Sequence, residues 1–211
     1  MAGRLAGTGD AQADAQFDLR FVHYMTGGEA MSSNPYWDIV EPFVAEQGAR
    51  RVVNGGQASG SPRLAFAQML LQANYAYAIP APQTLEWVAD FCGDLPIVEL
   101  GAGRGYWAAQ LAQVGLTVDA YDSKPPDKTR NTSFPEAAGQ VDVWHPVEGL
   151  AEFVTRSQSA DYALFLCWPP GWGDPMSSKA LTAFEEAGVS DLYTSESRRA
   201  EKRETTLSLT V

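Results

Sequence analysis

A chain of 211 residues with a formal net charge of −11 can bury one sizeable core, and a single main domain with an appendage is expected. No apolar run approaches the roughly 18 residues of a membrane span, and the opening MAGRLAGTGDAQADAQ lacks the apolar segment of a signal peptide, so a soluble cytoplasmic protein with no membrane partner is expected. The 15 Lys and Arg are scattered except in SRRAEKRE, where glutamates interrupt them; without a basic face to displace phosphate counterions, nucleic acid is disfavoured as a partner.

Residues 1–15 are small and polar without periodicity and are predicted to be disordered. A helical cap is predicted over residues 16–93. Within it, NPYWDIVEPFVAEQG reads as a helix capped by Asn34, opened by Pro35, kinked by Pro42 and followed by Gly48. NGGQASGSP is loop by composition. PRLAFAQMLLQANYAYA has apolar residues all round and predicts a helix buried on most sides. PAPQTLEWVADFCG predicts another, begun near Pro82 and stopped by Gly93. Over residues 94–211 the pattern alternates strand and helix, which predicts an α/β domain with a mostly parallel sheet and helices on both faces. Strands are expected at 96–100, 117–121, 140–144 and 161–167, with helices at about 105–114 and 147–156. The helix MSSKALTAFEEAG, a short strand near 190–194 and a last strand in TTLSLTV follow. Cys92 and Cys167 lie far apart in apolar settings, which suits reduced thiols, and no metal-ligand spacing appears.

The chemistry concentrates in IVELGAGRGYW, residues 97–107. A dinucleotide fingerprint needs a third glycine where Tyr106 stands, and a phosphate loop needs a lysine and a hydroxyl that GRGYWA lacks. What remains is Glu-x-Gly-x-Gly-x-Gly at the end of a strand, with Glu99 two residues before Gly101, then Gly103 and Gly105. This resembles motif I of the class I S-adenosylmethionine-dependent methyltransferases, a Rossmann-like family. The resemblance implies S-adenosyl-L-methionine as cofactor, with the segment Gly101, Ala102, Gly103, Gly105, Tyr106 and Trp107 passing close to its methionyl part. It also implies that Glu99 orients the loop and the cofactor's amine. Glycines permit positive φ and close approach, and a ligand carrying a sulfonium and an ammonium suits a carboxylate rather than a cationic clamp.

The next predicted strand ends in Asp122, 21 residues beyond Gly101, followed by Ser123. A carboxylate there can accept both ribose hydroxyls, as motif II of the resembling family does; the alternative is that Asp122 caps the turn into SKPP. Asp142 with Val143, or Glu148, is the candidate for the adenine amino group and ring. The fourth strand runs through Cys167 into CWPPGW, which is similar to the Asn/Asp/Ser-Pro-Pro-aromatic motif of amino-group methyltransferases. The prolines, Pro169 among them, leave carbonyls free to face an amine. Trp168, a candidate catalytic residue, stands where that motif has a polar residue and Gly171 where it has an aromatic, so adenine or glutamine as acceptor is not implied. The alternative is a plain exit loop.

Tyr36, Trp37, Tyr75, Tyr77 and Trp87 precede motif I, and aromatic faces stabilise a sulfonium or ammonium. Tyr75 and Tyr77 are candidates for the site, with Trp87 assigned to packing. His145 is a candidate general base, with a structural role as its alternative, and His23 a weaker one. The resemblance implies a methyltransferase acting on a small-molecule acceptor. A second reading keeps the cofactor and cyclises its own aminocarboxypropyl chain, releasing methylthioadenosine, and a third is a non-catalytic binding protein. After Tyr193 only 18 residues remain, so six strands rather than seven are expected, with the missing wall supplied by the amino-terminal helices or by a second copy in a homodimer.

Overall fold

The computed structural model describes residues 10–47, 50–53, 62–126, 143–155, 162–169, 173–186 and 206–209. They fall into two compact units, one of the described residues up to Pro80 and one of those from Ala81 on.

The first unit opens with α1 (Ala11–Met25), whose cap Asp10 accepts from the N–H groups of Gln12 and Ala13 at 2.9 and 3.1 Å. Satisfying two of the helix's orphan donors lets residues 11–15, expected to be without structure, form its first turn. α2 (Pro35–Val40) is capped as predicted, Asn34 Oδ1 accepting from Trp37 N–H at 3.2 Å. The single helix expected across this region is divided, however. Pro42 has no N–H to continue it, and the chain passes through a 3₁₀ turn (Glu41–Phe43) into β1 (Val44–Gln47), which pairs antiparallel with β2 (Arg50–Val53). α3 (Pro62–Asn74) buries Ala67 and Leu71 but leaves Met69 75% exposed, so it is not buried on most sides. Phe17, Tyr36, Ile39, Phe43, Leu71 and Tyr75 form the unit's core.

The second unit begins with α4 (Pro82–Cys92), which thus belongs with the sheet rather than with the cap. Gly93, at φ 58°, ends it as expected. The sheet contains β3 (Ile97–Leu100), β4 (Val118–Asp122), β5 (Val147–Gly149), β6 (Ala163–Cys167) and β7 (Thr206–Leu209) in the order β5-β4-β3-β6-β7, with every pair parallel. α5 (Tyr106–Gln113) links β3 to β4, while α6 (Leu150–Thr155) follows β5 and α7 (Met176–Glu186) follows β6. An α/β parallel sheet flanked by helices is compatible with a Rossmann-like fold.

Side-chain alternation gives the sheet two different faces. Val98, Leu100, Tyr121, Leu164 and Leu166 meet Phe153 of α6 and Ala180 and Phe184 of α7 in one apolar cluster. On the other face Phe165 packs against Trp107 of α5, ring centroids 5.4 Å apart. The strand expected at 140–144 is displaced. Residues 140–142 lie outside the described residues, and Trp144 is held off the sheet: its N–H donates to Arg104 O at 2.9 Å and its ring meets Tyr106 edge-on. Pairing starts only after Pro146, which lacks a donor, and the strand is 147–149. The strand expected near 190–194, and with it the count of six, lies outside the described residues. TTLSLTV does supply a strand, β7, laid directly on β6. Among the described residues no helix is long and apolar enough to cross a membrane.

Candidate functional site

β3 pairs with β4 on one side and with β6 on the other, so the direction of strand succession reverses between β3 and β6. In parallel α/β sheets the crevice beyond the carboxyl ends at such a reversal is where ligands bind. The glycine loop leaves β3 at that point.

Gly101, Gly103 and Gly105 have φ of 84°, 57° and 74°, a left-handed backbone that a side chain disfavours by about 1–2 kcal/mol per residue. The loop's donors are already engaged. The N–H groups of Gly101 and Ala102 both reach Tyr121 O, at 2.8 and 3.1 Å, and Gly105 N–H reaches Ala102 O at 2.8 Å. Gly103 N–H donates to Asp122 Oδ2 at 2.9 Å. The other Asp122 oxygen accepts from Lys124 N–H at 2.8 Å, so Asp122 both braces the loop and caps the turn into SKPP. The Ser123 hydroxyl also donates to that oxygen, at 3.5 Å, so Oδ2 is the oxygen with a lone pair left for a further donor such as a ribose hydroxyl.

Glu99 lies beneath the loop on the α5 face, 3% exposed, accepting the N–H of Ala108 in the first turn of α5, while its Oε2 has no hydrogen-bond partner. Burial lifts its carboxyl from 4.5 to about 8; the Ala108 N–H works against that shift and Asp122 adds to it. One of the helix N-terminal donors that a dinucleotide fold offers to a pyrophosphate, Ala108 N–H, is here taken by a side-chain carboxyl. Burial, and then Glu99, also push the Cys167 thiol far above its ordinary range, so it is no ready nucleophile.

On the opposite face lies a cavity of about 350 Å³, within the range of small-molecule sites. Leu100, Gly101 and Ser123 form its floor at the strand ends, and α6 and α7 contribute Leu150, Phe153, Val154, Met176 and Ala180, with Lys179 and Asp174 as its charged members. The Met176 methyl rests where a Gly101 side chain would project, and methionine yields at small cost. The α6 and α7 positions were invisible as site residues in the sequence. Their apolar spacing signals a core, and nothing local distinguishes a core position from a cavity wall.

Trp168 is the other unusual feature. It follows β6 directly, its φ is 53°, and it is 44% exposed. A bulky residue in the left-handed region before a proline is strained by about 1–3 kcal/mol, and such strain gathers at functional sites.

The remaining candidates are dispersed. Tyr106 and Trp107 turn into the core, against Trp144 and Phe165 respectively, and offer only backbone to the loop. Ala102 is buried, Val143 and Pro169 are half-buried, Glu148 is exposed on the edge strand, and Asp142 lies outside the described residues. His145 Nε2 bonds Val118 O at 3.1 Å. That carbonyl is at the opposite end of β4 from Asp122, roughly 13 Å away at strand rise, so the geometry gives His145 the structural role. Its carbonyl also closes on Gly105, 2.7 Å from where a Cβ would stand. In the first unit, Tyr75 is buried and stacked on Tyr36 at 5.1 Å, a packing role, and Tyr77 is 64% exposed. His23 bonds Glu29 O on the surface of that unit, and Trp87, assigned to packing, is nearly half exposed beside Phe91 in the other.

Comparison with models of known families, with curated proteins and with solved structures returned no match.

Proposed function

We propose that the chain binds S-adenosylmethionine across the carboxyl ends of β3 and β4 and serves its methyl transfer to a small-molecule acceptor. One observation carries the reading above all: two carboxyl groups, Glu99 and Asp122, take the loop and helix donors that a phosphate would need. With these donors taken and Asp122 carrying the negative charge, such a loop disfavours an anion and suits a ligand with hydroxyls and a cationic group. The left-handed glycines keep the approach clear, Asp122 Oδ2 offers a lone pair to a ribose hydroxyl, and the apolar cavity beyond Ser123 suits a flat base. When bound, the sulfonium supplies an activated methyl group. This chain's residues bind and orient: the loop fixes the methionyl end, and the walls of α6 and α7 exclude water from the base. With His145 committed to Val118 O, holding the reactants in place is the main source of rate.

Thermal unfolding tests it. S-adenosylmethionine or S-adenosylhomocysteine at one hundred times Kd is expected to stabilise the fold by about 2.7 kcal/mol, and NAD and ATP are not. The opposite pattern overturns the assignment. The nucleoside product then separates the activities: S-adenosylhomocysteine marks methyl transfer, methylthioadenosine marks cyclisation of the cofactor, and tight binding without product marks a binding protein.

A further inference from the structure

Trp168 holds an unfavourable conformation at an exposed position. Its left-handed backbone is unfavourable, Pro169 makes it more so, and much of its indole faces solvent instead of the core. Its position is defined by the sheet. β3 and β6 are parallel, with Glu99 opposite Phe165, and Gly101 and Trp168 are the first residues beyond the carboxyl ends of these two adjacent strands. Adjacent strands are about 4.8 Å apart, so Trp168 and the glycine loop leave neighbouring strands at the strand reversal. Among the described residues, Trp168 is not one of those that line the apolar cavity.

We infer that Trp168 is the cofactor-discriminating residue of the site, presenting its indole face to the positively charged sulfur held over Gly101–Gly103 and so favouring the sulfonium over the neutral thioether product. The inference rests on the S-adenosylmethionine reading. An indole is the best of the aromatic faces for a cation, and a thioether, having no charge, gains nothing comparable from it. The polar motif that the sequence lacks at this position is thereby replaced by a group that binds the spent cofactor less tightly than the loaded one, which eases product release.

Calorimetric titration of S-adenosylmethionine and S-adenosylhomocysteine into the full chain tests this. Trp168→Leu is expected to weaken S-adenosylmethionine by about three- to thirtyfold and leave S-adenosylhomocysteine within about twofold, with Trp168→Phe between wild type and Leu. Trp168→Gly accepts the left-handed φ without strain, so it keeps the test open if Leu fails to fold, and the same loss of preference is expected. Equal weakening of both ligands, or of neither, overturns the role of Trp168 while the cofactor reading stands. Wild-type protein that binds neither ligand overturns the cofactor reading, and this inference falls with it.

Discussion

The two faces of the sheet reach the same edge with different material. On the α5 face the strands deliver Glu99, Asp122 and Cys167, close enough that Asp122 raises the Glu99 carboxyl and Glu99 raises the Cys167 thiol, and α5 contributes buried Gln110. On the α6 and α7 face they deliver Leu100, Tyr121 and Leu166 into an apolar cluster that opens into the cavity. One edge thus sets the loop-bracing carboxyl groups on one side and the cavity on the other. A ligand lying across it meets the Asp122 carboxylate and the protonated Glu99 at one end and an apolar slot at the other, which matches a molecule with hydroxyls and a cationic group at one end and a flat base at the other.

The sorting can be broken most severely from the apolar side. Phe153 is fully buried in the cluster and lines the cavity, so Phe153→Ala is expected to cost about 3–5 kcal/mol of stability in urea unfolding, with the pH dependence of stability unchanged. A loss below about 1 kcal/mol would mean that this face is not the structural one.

The charged side is expected to respond to pH instead. In the folded chain Glu99 keeps its proton up to about pH 8, whereas the unfolded chain gives it up above 4.5. Between those values the native state holds the extra proton, so this group's contribution to stability falls as pH rises, by up to about 1.4 kcal/mol per unit. Glu99→Gln has no proton to lose. Its stability relative to wild type should therefore climb across pH 5 to 8, and parallel profiles in denaturant titrations would remove Glu99 from the account.

The smallest effect is expected where the two sides meet. Asp122→Ala removes the acceptor of Gly103 N–H and should weaken S-adenosylmethionine binding by about 1–3 kcal/mol in calorimetry, with a smaller loss of stability because the turn is partly exposed. Unchanged affinity would limit Asp122 to bracing the loop.

Much of this edge was legible in the sequence. The strand runs at 96–100, 117–121 and 161–167 appear as β3, β4 and β6 shifted by one or two residues, because buried parallel strands are continuous apolar runs bounded by turn residues. The glycine spacing located the loop, and its carboxylates were found by their offsets from it. What local pattern hid was decided by partners distant in sequence. The Val-x-Val alternation before Trp144 reads as a strand, yet Trp144 is drawn aside by Arg104 and Tyr106 some forty residues earlier, and the pairing strand begins only past Pro146. The hairpin of β1 and β2 was missed because VAEQ continues a helical pattern until Pro42 is weighed as a stop rather than a kink. Burial misled in the same way: α3 is apolar all round, and only packing reveals that Met69 is on the surface.

The strand order also governs how the site comes into being in time. β3 meets β4 through residues 97 and 118, and meets β6 through residues 97 and 163. By chain statistics the longer closure costs about 1 kcal/mol more, and non-local parallel pairing is the slow step in folds of this kind. The β3–α5–β4 unit, with its glycine loop and both carboxylates, can therefore assemble early, while the crevice between β3 and β6 and the left-handed turn at Trp168 arrive late. A ligand that needs both halves would bind only after that last pairing, and so act as a latch on the finished sheet rather than as a template for building it.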